Sequence, residues 1–183
     1  MTGEDYMNNK RKRKFILLFA IIGFLITLYL TEMPPYGSEV VAEHNHGFGT
    51  FDMETYDSQT VEQVLSETDE GGWVIYNRYY VCDFAFILFF GLLQMMISLL
   101  LYDQGNQYLK MLAVGIPVLR GLLDAIENIM LLYIINDYPT LHSSLVNLSH
   151  YITTVKFAVV PVWIVLVMIG IFMTRKRYKE KID

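Results

Sequence analysis

The chain has 183 residues, of which 54% are hydrophobic, and its charges stand in blocks instead of being spread along it; that is the composition of a membrane protein. Its single cysteine, Cys82, excludes an internal disulfide framework, a CxxC redox pair and a multi-cysteine zinc site. The net charge of -5 averages basic ends with an acidic central stretch, so the terminal basic runs speak for topology and not for nucleic-acid binding.

Residues 1–14 are a basic, cytoplasmic N-terminus that finishes in Lys10, Arg11, Lys12, Arg13 and Lys14. Residues 15–31 are uncharged and apolar, close to the roughly 20 residues that cross a bilayer. The run ends in Thr31-Glu32-Met33-Pro34-Pro35, without the small-x-small pattern of a cleavage site, and is expected to stay as the first transmembrane helix. Residues 32–78 form an acidic extracytoplasmic loop, with ten Asp or Glu and no Lys or Arg between positions 32 and 77. Within it Pro34, Pro35, Gly37, Gly47 and Gly49 interrupt regular structure. Asp57 or Ser58 is placed to cap a short helix carrying Val61, Val64 and Leu65 on one side, which Gly71 and Gly72 are expected to end.

The second span is expected over residues 79–102, a cytoplasmic turn over 103–110, the third span over 111–135, an extracytoplasmic turn over 136–150, the fourth span over 151–173, and a basic cytoplasmic tail over 174–183. The expected fold is therefore an all-α integral membrane protein: a four-helix transmembrane bundle with an acidic extracytoplasmic loop between helices 1 and 2. Lys and Arg beside membrane helices are retained on the cytoplasmic side, and an even number of spans puts both basic ends there. In a bacterium the location is the plasma membrane. In a eukaryote, Lys179 and Lys181 resemble a dilysine signal that would hold the protein in the endoplasmic reticulum.

Charged side chains at the centre of a bilayer cost roughly 2.5–3.5 kcal/mol each on insertion scales, so those in spans face a bundle interior, pair, or serve function. The apolar runs contain five: Asp83, Arg120, Asp124, Glu127 and Lys156, with Asn128 and Gln94 as neutral companions. On the third helix Pro117, Arg120, Asp124 and Glu127 recur at three and four residues, so they share an inward face with Asn128 on its edge. On the second, Tyr80, Asp83, Ile87, Gly91, Gln94 and Ser98 recur likewise and mark a packing seam with a small residue at its middle. At 1.5 Å per residue all the charges but Arg120 fall in the outer half. Lys156 is placed to reach Asp83 or Glu127, and Arg120 to pair with Asp124 at i, i+4. Three carboxylates against two cations leave one acid without a partner.

The four histidines, His44, His46, His142 and His150, fall on the outer side without ligand spacing and read as solvated loop residues; no metal site and no cofactor is expected. Trp73, Tyr76, Tyr79 and Tyr80 read as an aromatic belt at the membrane interface. Pro117 and Pro161 are candidate kinks.

Gly71-Gly72-x3-Tyr76-x6-Asp83, Asp124-x-x-Glu127-Asn128, Tyr138-Pro139 and Lys156-Phe157 resemble a widespread group of small four-span membrane proteins, the likeness covering about residues 50 to 173. The resemblance implies the architecture and the same polar residues, and no reaction.

Asp83, Arg120, Asp124, Glu127, Asn128 and Lys156 are thus the candidate ligand-binding residues. The expected function is binding or transport of a small polar, ionic or lipid-like ligand, with the bilayer as the surrounding partner. One alternative is a membrane-embedded enzyme acting on a lipid-like substrate, with a carboxylate as general acid or base and Lys156 or Arg120 holding an anionic group; no nucleophile or metal set supports it. The other is a structural or accessory subunit whose buried charges only join the helices.

Overall fold

Long apolar runs fold as helices, and helices dominate the computed structural model, which describes residues 3–179, with side chains from Arg11 onward. Lys10 as a side chain and Lys181 of the dilysine pattern lie outside the described residues. Six α-helices and one 3-10 turn make up the regular structure there, with no strand among the described residues. They are α1 (Gly3–Glu32), α2 (Ser38–His44), the 3-10 turn Phe51–Met53, α3 (Ser58–Glu67), α4 (Glu70–Leu101), α5 (Gln107–Asn136) and α6 (Ser143–Lys179).

Three helices are long and apolar enough to cross a membrane: α1 from Arg11 to Glu32, α4 and α6. The stretch expected as the third span, α5, is a 30-residue helix outside that set. No stretch of it of membrane-crossing length escapes at least three of Lys110, Arg120, Asp124 and Glu127. The helices also overrun the apolar runs. α4 begins at Glu70 and not near residue 79, and α6 extends from Ser143 to Lys179, past both ends of the expected 151–173 span. Both α5 and α6 continue through their prolines, Pro117 and Pro161.

The four long helices pack in sequence, α1 on α4, α4 on α5 and α5 on α6, with α6 returning to α4. Close approach depends on small residues. A Cβ on Gly23 of α1 would stand 2.0 Å from the Phe89 ring, and Phe24 stacks on Phe90 with ring centroids 5.3 Å apart. At the other end of the bundle Tyr102 donates to the Leu166 carbonyl at 2.7 Å, over Gly170. Gly91, expected at the middle of a packing seam, faces open space instead. The seam on α4 is closed by Ile87, Gln94 and Ser98, which are buried.

The stretch expected as an acidic loop with one short helix is a folded cap of two α-helices and a 3-10 turn. Asp57 accepts from the Thr60 N–H at 2.8 Å, opening α3, whose Val61, Val64 and Leu65 are buried. Gly71 and Gly72 do not end α3; it stops at Glu67, and they form the first turn of α4, which Asp69 caps by accepting from the Gly72 N–H at 2.8 Å. Their smallness serves contact: a Cβ on Gly72 would meet Thr68 Cγ2 at 2.5 Å and His44 Cβ at 3.0 Å. His46, Gly47 and Gly49 take positive φ, turning the chain from α2 toward Phe51. Tyr76, Tyr79 and Tyr80 sit beneath this cap in the main apolar core with Phe51, Tyr56, Leu131 and Val146, so they do not form an interfacial belt. Their aromatic surface is worth more against the cap than against head groups, because Tyr76 and Tyr79 also find hydrogen-bond partners there.

Both basic ends lie at one end of the bundle. Arg13 pairs with Asp103 in the α4–α5 turn at 2.5 Å, and Arg177 reaches the Leu101 carbonyl at 3.3 Å. The cap and the α5–α6 turn lie at the other.

Candidate functional site

The residues of one helical face on α5 converge as their spacing requires. Arg120, Asp124, Glu127 and Asn128 are all buried, and so are Asp83 on α4 and Lys156 on α6. Arg120 Nη2 pairs with Asp124 Oδ2 at 2.7 Å along the helix. Lys156 Nζ sits between helix partners, 2.8 Å from Asp124 Oδ1 and 2.6 Å from Glu127 Oε2. The Lys156–Glu127 contact is a short, fully buried ion pair. Thr153, one turn before Lys156, donates to Glu127 Oε1.

Lys156 does not pair with Asp83. The α5 carboxylates occupy the ammonium, and Asp83 takes a neutral donor instead, Asn128 Nδ2 to Asp83 Oδ2 at 2.7 Å. Asn128 is therefore central to the cluster, tying α5 to α4, and not a companion at its edge.

The sequence reading missed Asp52. It is the acidic residue of the cap that turns inward, 3% exposed, and Tyr79 donates to its Oδ2 at 3.1 Å. The backbone carbonyl of Asp52 accepts from Lys156 Nζ at 3.5 Å, so the cap is hydrogen-bonded directly to the charged cluster. Burial pushes the Asp52 carboxyl above the ordinary carboxylate range, against the opposing pull of Lys156. A signal was present: Asp52 stands between Phe51 and Met53, an apolar setting its acidic neighbours lack. Tyr79, one turn before Asp83, and Thr153, three residues before Lys156, carry the same helical spacing that exposed the α5 face.

Behind these contacts lies a cavity of about 250 Å³. Asp52, Asp83, Arg120, Asp124 and Lys156 form its polar wall, Phe86, Phe90, Phe157 and Val160 its apolar one, and Thr31 and Glu32 of α1 its rim. Several polar atoms have bonding capacity left. Arg120 Nε and Nη1 are buried without a hydrogen-bond acceptor, the guanidinium lying 4.6 Å from the centre of the Phe90 ring. Asp52 Oδ1 is buried without a donor. Buried polar groups are ordinarily satisfied, so this concentration around one cavity calls for a physical account.

Two of the outer histidines are engaged elsewhere. His44 pairs with Asp69 at 2.8 Å and His142 with Asp137 at 2.9 Å. The His44 imidazole, together with the Gly72 N–H, holds the Asp69 carboxyl below its usual range.

Comparisons with protein-family models, with curated proteins and with solved structures find no match to this chain.

Proposed function

We propose that the chain is a four-span membrane protein with both basic ends in the cytoplasm, and that the buried charged cluster in its outer half is the binding site for a small polar, ionic or lipid-like ligand. The Asp124-x-x-Glu127-Asn128 motif, which resembles that of a group of small four-span membrane proteins, supports this reading.

The outward face of α5 supports a fourth crossing. Met111, Leu112, Leu119, Leu122, Ile126, Ile129 and Tyr133 are all exposed, an apolar stripe about 33 Å long at 1.5 Å per residue. That matches the hydrocarbon thickness of a bilayer, while the charges of the same helix face inward. The positions of Arg13 and Arg177 at one end of the bundle agree with two basic ends on one side.

The observation that carries the functional reading is the cavity wall itself. Helices can be joined by paired groups alone, but here Arg120 and Asp52 keep unused donors and acceptors beside open volume. A site built only for cohesion would lose that desolvation energy to no purpose.

The test is thermal unfolding of the purified full chain, wild type and Glu127→Gln, against lipids, sterols, metal ions and a pH series. Stabilisation by one class of ligand, at least halved in Glu127→Gln, is the expected result. No shift with any ligand, combined with a lower melting temperature in the variant, would assign the charges to cohesion alone.

A further inference from the structure

The charge around the cavity names a ligand class, an inference that rests on reading the cavity as a ligand site. Arg120 and Lys156 are committed to Asp124 and Glu127, and those four charges cancel. Asp52 and Asp83 are the surplus. Among the described residues neither has an ion-pair partner, and each accepts on Oδ2 from a neutral donor, Tyr79 at 3.1 Å for Asp52 and Asn128 at 2.7 Å for Asp83. Both line the cavity, brought together because Tyr79, which holds Asp52, stands one helical turn before Asp83 on the same face of α4. Asp52, almost wholly buried, still has Oδ1 without a partner.

A buried carboxylate in this state is best satisfied by a cationic N–H, which supplies charge and hydrogen bond together. A bare metal ion fits less well, since among the described residues no three His, Cys, Asp or Glu converge as a ligand set. The remaining wall is hydrocarbon, from Phe86, Phe90, Phe157 and Val160. Its flanks come from α1 and α6, which pack on α4 and on α4 and α5 respectively and touch each other at most marginally. Phe157 is 47% exposed. The cavity therefore has a polar floor and an apolar flank facing the bilayer.

We infer that the ligand is a protonated amine on an apolar body, its ammonium held between Asp52 and Asp83 and its hydrocarbon part running out between α1 and α6. The free Arg120 N–H groups then suit a hydroxyl or carbonyl oxygen near the amine.

The full chain in nanodiscs of zwitterionic lipid is titrated with dodecylamine, dodecanol, dodecanoate, sodium chloride and calcium chloride, reading saturable binding and melting temperature. Dodecylamine alone is expected to bind saturably and to stabilise. Its affinity should fall about tenfold or more in Asp52→Asn and in Asp83→Asn, the loss of one charge-assisted hydrogen bond. Asp52 lies outside the six α-helices, and Asp52→Asn serves where Asp83→Asn fails to fold. Amine binding unchanged in Asp52→Asn would be partition into the bilayer and would overturn the inference. Equal binding of the alcohol, the carboxylate or the salts would also overturn it; loss of that binding in Glu127→Gln would leave the ligand site standing with another occupant. If none of these probes binds, the amine assignment fails, and the site fails with it only if the wider panel of lipids, sterols and metals is silent too.

Discussion

Lys156 is the one cation beside Glu127 and shares Asp124 with Arg120, so its removal leaves Glu127 uncompensated in a medium that does not solvate it. Lys156→Met is expected to destabilise the fold by about 3–5 kcal/mol, the usual cost of breaking a buried ion pair from one side. Adding Glu127→Gln should restore much of that stability in denaturant unfolding, since Asp124 keeps Arg120, whereas adding Asp83→Asn should not, because Asp83 is held by Asn128. Asp52 predicts a pH dependence of opposite sense to that of a salt-bridged acid. Its folded-state affinity for a proton is raised above the ordinary value of 3.8, mainly by burial. Between those two values the folded chain binds more protons than the unfolded one, so this contribution to stability falls as pH rises through the interval. Melting curves across pH should lose that slope in Asp52→Asn. The buried charges of α4, α5 and α6 were legible in the sequence because a charge inside an apolar run is conspicuous. Asp52 was fainter: it is one acid among ten in a polar stretch, marked only by its place between Phe51 and Met53, and tertiary folding turns it inward.

Among the elements, α5 carried its orientation in the sequence: three- and four-residue spacing put Arg120, Asp124 and Glu127 on one face, and all are buried. The cap was only half legible. Asp57 and the Val61, Val64, Leu65 face marked α3, but the two glycines after it read as a helix end when they open α4. Glycine is ambiguous in this way because it suits both a helix terminus and a close contact, and only the neighbour decides. Here the neighbours are Thr68 and His44, and Gly72→Ala should therefore lift the cap off α4. Overpacking of that kind costs about 1–3 kcal/mol. Faster amide hydrogen exchange over residues 38–67, with α5 and α6 unchanged, is the expected readout. Exchange indistinguishable from wild type would mean that the cap accommodates the methyl group.

For the whole molecule, composition and charge blocks announced a helical membrane protein, and the folded chain has three helices of spanning length and hydropathy. The status of α5 was harder to read, since the same charges that mark a site also lower its hydropathy. What favours a fourth crossing is a property of the assembled bundle, an apolar outward stripe backed by inward charges, and the placement of the cluster within the membrane depends on it. The decisive measurement is the sidedness of two single cysteines in a Cys82→Ser background, Thr140→Cys in the exposed α5–α6 turn and Lys179→Cys in the exposed tail. With four spans, an impermeant maleimide labels Thr140→Cys in intact cells and labels Lys179→Cys only after permeabilisation. The reverse pattern, with the turn protected and the tail labelled from outside, would contradict a four-span chain with both ends in the cytoplasm.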